Sequence, residues 1–290
     1  MKKVWLISLL VLLSNGLVMA QSSVWKATKD GHVLFLAGSV HLLRDEDFPL
    51  PKEFDIAFDN SEVLTIETDL EKMADPQILQ HLAEQMVLPD NQTLKSVLSK
   101  NTYKRLDSKC QEFGFSLSDA AQLKPSMIMN ILSMLQIRQS GFVQQGVDEY
   151  YLSKAQEEGK RIDFLESIDV QIAALAGMGE GYDDEYVLYS LKSLEATEKS
   201  LPALVSGWKS GVPDNAETEI NEMMKKWPAL YKTLVYDRNI SWMPLLESYL
   251  AGDTVAFVIA GLLHFYGPDG LLKQLENRGC KIEQVLAEVP

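Results

Sequence analysis

Two apolar segments near opposite ends of the chain run into the same short motif, Gly-x-x-His, and this repetition constrains the fold more than any other feature. The first segment spans residues 35–41 and ends at His41, and the second spans residues 257–264 and ends at His264. Short apolar runs bounded by turn residues are typical of buried strands. We therefore predict a site assembled from both ends of the chain, with each His just past a strand end.

The histidine and the glycine of this motif are both suited to a binding or catalytic site. The chain contains four His, and neutral imidazole is both the commonest metal ligand and the usual general base near pH 7. Gly38 and Gly261 stand at the strand ends, where glycine allows a sharp turn and a close approach of backbone to a ligand. We interpret the other two His, His32 and His81, as surface or boundary residues.

Two further predicted strands also end in a carboxylate. Glu67 follows the apolar run 63–66, and Glu166 follows the run 161–165. In open α/β sheets, ligands bind outside the carboxyl ends of the strands. Two imidazoles and a carboxylate around one point would form a metal site with open positions for water. The alternative is that Glu67 faces solvent and that Glu166 only caps the next helix.

Arg238 is a further candidate, placed by the pattern at the start of a helix after Asp237. A guanidinium there could bind a substrate carboxylate or stabilise an oxyanion. The alternative is an ordinary solvated charge at a helix terminus.

The coarse pattern predicts few strands separated by long helical stretches, which is typical of an α/β or α+β domain. A large helical insertion is expected at about residues 76–159, within one domain spanning residues 21–290. The predicted strands cover residues 24–28, 32–37, 63–66, 161–165, 255–260 and 281–286.

The first twenty residues have the features of a signal peptide. Lys2 and Lys3 precede a mostly apolar stretch, and Val18-Met19-Ala20 fits a small-residue cleavage site. We predict cleavage after Ala20 and a periplasmic or secreted protein, the alternative being a retained N-terminal anchor. No other segment approaches the roughly 20 apolar residues of a spanning helix, so no membrane contact is expected after cleavage.

The net charge bears on which partners the protein can bind, and the cysteine content bears on whether it forms a disulfide. The formal net charge of −14 would repel nucleic acid, so no nucleic-acid partner is expected. The two Cys, Cys110 and Cys280, could pair in an oxidising compartment or remain separate buried thiols.

Several segments together resemble the TraB/GumN family, which includes the TIKI metalloproteases. They follow the family's order over nearly the whole chain after the predicted signal peptide, and the paired Gly-x-x-His motifs are the most specific of them. The matching segments are residues 36–41, 64–69, 146–151, 165–166, 237–239 and 261–271. One departure is that Leu263 and Phe265 flank the second His, where the family usually has a small residue and Leu.

The resemblance implies a fold similar to the haem-binding ChaN proteins, a central mixed sheet flanked by helices. It also implies that His41, His264 and Glu67 hold a divalent metal. The TIKI branch cleaves peptide bonds with a metal such as manganese or cobalt.

The leading hypothesis is thus a metal-dependent hydrolase, foremost a peptidase, using Mn, Co or Zn on a peptide or small-molecule substrate. Glu67 would be a metal ligand within the catalytic centre, Glu166 a supporting group or general base, and Arg238 a stabiliser of substrate charge. The alternative is a protein that binds haem, metal or a peptide without turnover.

Overall fold

The computed structural model describes residues 20–142, 144–211 and 214–287. Eight strands lie in these residues: β1 (Ala20–Lys29), β2 (His32–Ser39), β3 (Leu42–Leu43), β4 (Val63–Ile66), β5 (Gln144–Gln145), β6 (Arg161–Phe164), β7 (Ala256–Gly261) and β8 (Lys281–Ala287). The predicted signal peptide, apart from Ala20 in β1, lies outside the described residues.

Thirteen α-helices accompany the strands in the described ranges. They are α1 (Lys52–Asp59), α2 (Leu70–Met73), α3 (Pro76–Gln85), α4 (Leu94–Val97), α5 (Lys100–Glu112), α6 (Pro125–Gln139), α7 (Val147–Glu158), α8 (Ile168–Gly177), α9 (Asp183–Ser210), α10 (Asp214–Lys226), α11 (Pro228–Tyr231), α12 (Asp237–Leu250) and α13 (Leu271–Asn277). Short 3₁₀ turns occupy Asp45–Asp47 and Leu262–Phe265, and a π-helical segment occupies Lys232–Tyr236. None of the described helices has the length and apolar character needed to cross a membrane.

Six of the strands form one mixed sheet in the order β6-β4-β7-β2-β1-β8. The first four are mutually parallel, whereas β1 pairs antiparallel with both β2 and β8. These six are the strands expected from the sequence, so the α/β prediction is confirmed. The β1–β2 hairpin turns at Asp30 and Gly31, both with positive φ (51° and 91°), as a tight two-residue hairpin requires.

Both faces of the sheet are covered by helices, which explains why its central strands are apolar throughout. Phe257 of β7 packs against Phe54 of α1 and Tyr151 of α7 on one face. On the other face Thr65 of β4 hydrogen-bonds Tyr249 of α12. The residues of β7 alternate between these two helical layers and are almost entirely buried.

The four parallel strands place their carboxyl ends side by side at one edge of the sheet. Glu166 follows β6, Glu67 follows β4, and His41 follows β2, while His264 lies in the 3₁₀ turn after β7. The fold therefore places four polar side chains next to one another at the carboxyl ends of the parallel strands, where ligands bind in open α/β sheets.

A two-stranded ladder of β3 and β5, which the sequence pattern did not reveal, lies next to this edge. Leu42 pairs with Gln145 and Leu43 with Gln144. The ladder is extended by a hydrogen bond from the Val147 N–H to the Val40 carbonyl. It fixes the backbone of His41 against the start of α7.

Arg238 does not lie at a helix start, so that part of the sequence prediction was wrong. Helix α11, the π segment and α12 follow one another without a break from residue 228 to residue 250. Asp237 therefore continues an existing helix, and Arg238 is the second residue after the wider π turn.

The two cysteines are unpaired in the structure. Cys110 of α5 and Cys280, which precedes β8, are both buried free thiols. Burial raises the pKa of the Cys110 thiol to about 12, so this group is unreactive.

The close contact at Gly146 yields a test of the fold. A Cβ at residue 146 would lie 2.4 Å from the His41 carbonyl oxygen, a backbone atom that cannot rotate away. We expect Gly146→Ala to lower the free energy of unfolding in urea by about 1–3 kcal/mol. Gly177→Ala is the matched control, because a Cβ there meets nothing within 4 Å. Equal stability of the two variants would contradict the packing described at residue 146.

Candidate active site

The three predicted metal ligands meet around Gly261. A Cβ built on this glycine would lie 3.3 Å from Glu67 Oε1, 3.5 Å from His41 Nε2 and 3.6 Å from His264 Cδ2. The glycine thus leaves room for a group between two imidazoles and a carboxylate. Residues separated by more than two hundred positions in the chain are brought to one point, as the paired motifs predicted.

His41 is held from behind by a carboxylate. Its Nδ1 lies 3.0 Å from Asp148 Oδ2, and the Ser39 hydroxyl donates to the other oxygen, Asp148 Oδ1. The His41 side chain is 64% exposed whereas that of Asp148 is 13% exposed. Nδ1 therefore carries a proton toward Asp148, and Nε2 is the nitrogen that faces the centre and solvent.

Asp148 also sets the charge of this ring. The attraction of its carboxylate raises the pKa of His41 from 6.5 to about 9. His41 is consequently an imidazolium at neutral pH, and binding of a cation at Nε2 would release that proton.

His264 has the opposite character, buried and neutral. Asn239 Nδ2 donates to the carbonyl oxygens of His264 and Asp269. Asn239 Oδ1 must therefore accept from His264 Nδ1, 2.7 Å away, which leaves a lone pair on Nε2. Burial lowers the pKa of His264 to about 3, so the ring stays neutral. The indole of Trp242 packs on it at 4.4 Å between ring centroids.

Arg238 connects the remaining members of the site. Its Nε and Nη2 donate to the two oxygens of Glu166, at 3.0 and 2.8 Å. Nη2 also reaches Glu67 Oε2 at 2.6 Å and Gln171 Oε1 at 2.9 Å. Nη1 donates to the His264 Nε2 lone pair at 3.2 Å. The guanidinium is thus nearly saturated by side chains that follow β4, β6 and β7.

Glu67 is ionised in this setting. Burial raises the pKa of its carboxyl group, but the positive charges of Arg238 and His41 and the hydrogen bond from the Gly261 N–H outweigh burial and hold this pKa at about 2. The Gly261 N–H donates to Glu67 Oε1 at 2.6 Å, so both oxygens accept a hydrogen bond. Glu67 is therefore a fixed negative charge rather than a proton carrier at neutral pH.

Glu166 lies deeper than the other groups. Its side chain is only 2% exposed, and besides Arg238 it accepts a hydrogen bond from Trp242 Nε1 at 2.9 Å. These contacts match the supporting role expected of Glu166 better than the role of a general base, which must reach a substrate or water.

The donor set suits a divalent cation in its chemistry. Metal-binding His almost always donate their second ring N–H to an oxygen, as His41 does to Asp148 and His264 to Asn239. Arg238, however, lies on the His264 Nε2 lone pair and on Glu67. Within the described ranges, no group of three or more His, Cys, Asp or Glu is placed so that it could hold a metal ion as the side chains stand. A cation shared by His264 and Glu67 would have to take these contacts from Arg238.

Several site residues carried no sequence signal of their own. Asp148 and Asn239 were part of motifs assigned to the family resemblance, but neither had a predicted role. Only their places in the sequence could have identified them, since Asp148 is two residues after a glycine at a helix start and Asn239 directly follows Arg238. The contacts of Ser39, Gln171 and Trp242 emerge only from the structure.

The dependence of His41 on Asp148 can be measured directly. In the variant Asp148→Asn the pKa of His41 should fall from about 9 toward 6.5, because the carboxylate charge is lost. An NMR titration of the imidazole measures both values. The pair stabilises the fold fully below pH 6.5, and this stabilisation is lost as pH rises through about 9. An unchanged His41 titration would contradict the assignment.

The buried ion cluster yields a second prediction. Arg238→Gln leaves Glu67 and Glu166 without their counter-ion and should lower the free energy of unfolding by roughly 3–5 kcal/mol. Arg161→Gln removes an arginine from an exposed ion pair with Asp163 and should cost only about 0–1 kcal/mol. Urea denaturation of both variants provides the comparison, and similar losses would refute a special role for the cluster.

Comparison with known proteins identifies the family of this chain. The model of the TraB/PrgY/gumN family matches residues 23–284, which include at least part of every strand of the sheet and every residue of the site. The chain is also 26% identical over 245 residues to the uncharacterized protein YbaP of Escherichia coli (strain K12), covering 83% of this chain and 86% of that protein. The same figures hold for the uncharacterized protein YbaP of Shigella flexneri. The chain belongs to the TraB/PrgY/gumN family.

Proposed function

We propose that this protein is a periplasmic or secreted hydrolase that cleaves a peptide or a related small molecule with the help of a divalent cation. The observation that carries the proposal is the pair of imidazoles around Gly261, each fixed through Nδ1 by a side-chain oxygen and flanked by the Glu67 carboxylate. This is the arrangement of orienting partners that metal-binding His require.

His41, His264 and Glu67 would hold the cation, for which the imidazole and carboxylate donors favour Mn, Co or Zn. A cation bound there lowers the pKa of a bound water and polarises a carbonyl. His264 has no proton on Nε2, so a cation there needs only to displace the hydrogen bond from Arg238 Nη1, whereas His41 must lose a proton first. Cation affinity is therefore expected to fall as pH falls.

Arg238 and its partners would provide the fixed electrostatic frame. Glu166 and Gln171 orient the guanidinium, and the guanidinium in turn holds Glu67 and faces His264. A positive charge at this position favours negative charge that develops on a substrate oxygen. Trp242 excludes water from the deep side of His264.

The proposal is tested with the chain stripped by a chelator and reloaded with Mn²⁺, Co²⁺ or Zn²⁺. We expect about one bound cation per chain by elemental analysis and cleavage of a defined peptide library by mass spectrometry. His264→Ala should reduce cation affinity by more than the roughly 10–100-fold typical of losing an orienting partner. Asp148→Asn should fall within that range. His81→Ala changes a histidine of α3 that is not one of the site residues, and it should behave as wild type.

Two outcomes would overturn the proposal. One is the absence of stoichiometric cation together with activity that survives the chelator. The other is cation binding without cleavage of any peptide, which would favour the non-catalytic alternative. A haem titration followed by the Soret band separates a haem-binding protein from a protein that binds only metal or peptide.

A further inference from the structure

The Nε2 nitrogen of His264 has a single lone pair, and Arg238 occupies it. A neutral imidazole ring has one donor nitrogen and one acceptor nitrogen. Asn239 Oδ1 lies 2.7 Å from His264 Nδ1 and accepts its proton, so Nε2 is the acceptor, and Arg238 Nη1 donates to it at 3.2 Å. That N–H group and a cation therefore cannot be bound to His264 at the same time.

The two other proposed cation ligands are less completely covered. His41 is mostly exposed, and its contact with Asp148 uses Nδ1 rather than Nε2. Glu67 accepts from the Gly261 N–H at one oxygen and from Arg238 Nη2 at the other, whereas an ionised carboxylate has about four lone-pair sites. The contact that a cation must break outright is therefore the one between Arg238 and His264.

Arg238 is anchored at a place that does not involve His264. Its Nε and Nη2 donate to the two oxygens of Glu166 at 3.0 and 2.8 Å, and the Trp242 indole N–H holds Glu166 in turn. A two-bond pair of this kind fixes the orientation of a guanidinium. Nη1 takes no part in it, because His264 is the only hydrogen-bond partner of Nη1 among the described residues. The guanidinium can thus turn away from His264 while its bonds to Glu166 persist.

The guanidinium also supplies the positive charge that the centre needs when no cation is bound. Glu67 and Glu166 are buried carboxylates, and both form ion pairs with Arg238. Burying a charge is costly unless it is paired, so the covered state of His264 is the stable one without a cation. The apparent affinity of a ligand falls in proportion to the fraction of protein that is competent to bind it. Arg238 should therefore weaken cation binding, whereas a residue that only positioned Glu67 would strengthen it.

We infer that Arg238 is a built-in competitor of the cation, covering His264 Nε2 until a divalent cation displaces Nη1 while Glu166 keeps the guanidinium in the site. The inference rests on the proposed function and adds a role to Arg238 that the proposal does not contain. Nη1, once released from His264, is a free donor at the centre. The proposed stabilisation of negative charge on a substrate oxygen requires such a donor.

The first test compares Zn²⁺ affinities on the full chain by competition with a chromogenic chelator. The double variant Arg238→Met with Glu166→Gln uncovers His264 and removes one positive and one negative charge, so the net charge of the centre is that of the wild type. We expect Zn²⁺ binding to be tighter by roughly tenfold or more, because a hydrogen bond from a charged donor no longer has to be broken.

The matched control is Arg161→Gln with Asp163→Asn. This double variant removes an exposed arginine–carboxylate pair of β6, again without changing the net charge. It should bind Zn²⁺ with wild-type affinity. Circular dichroism of both double variants verifies folding.

The second test uses the wild type alone and does not depend on how well a variant folds. The chain is labelled with ¹⁵N in histidine and arginine and followed by NMR as Zn²⁺ is added; it contains only four His. We expect the His264 Nε2 resonance to move to that of a metal-bound nitrogen while the Nδ1 proton persists. The Arg238 Nε–H should stay protected from exchange, because its bond to Glu166 is kept.

A charge-matched double variant that binds Zn²⁺ no more tightly than the wild type would overturn the inference. So would an unchanged His264 Nε2 resonance at saturating Zn²⁺. Neither result bears on whether the protein cleaves a substrate. Absence of Zn²⁺ binding by both the wild type and the Arg238→Met double variant would reject the cation site together with the inference. Tighter binding by that variant, without any cation-dependent cleavage by the wild type, would reject the hydrolase and retain the competitor role of Arg238.

Discussion

The buried Arg238 guanidinium is the interaction on which the geometry of this site depends. Arg238 is only 9% exposed, and burying a cation costs free energy unless its N–H groups are hydrogen-bonded. Here they are bonded to Glu67, Glu166, Gln171 and His264. These partners lie at or after the ends of β4, β6 and β7, so one side chain ties three strand ends together. The π segment before α12 contributes, because a wider turn changes the direction in which the following residues point.

The strands of the sheet were predictable because burial on both faces leaves a simple pattern. Residues 256–260 are apolar without interruption, as a parallel strand between two helical layers requires. The polar residue after each run was then predictable as part of a site, since parallel strands share a carboxyl edge. Strand order was not predictable in the same way, because apolar runs of this kind look alike and do not specify their neighbours.

The residues that the sequence analysis did not identify affect the site by holding another side chain in place. Asp148 contacts His41 across 107 positions of the chain, and no periodicity links the two. The β3–β5 ladder has two residues in each strand, too few to show alternation. Arg238 was placed at a helix start because Asp237 resembles a cap, whereas the π segment carries the helix through that residue. Local patterns report local structure, and these features are long-range.

The two His have different environments, and this difference determines how a substrate can approach. His264 is enclosed by Trp242, Asn239 and Arg238, so the deep side of the centre is closed. His41 is mostly exposed and carries its Nε2 toward the surface. A substrate must therefore arrive from the side of His41, which is the exposed side of the centre.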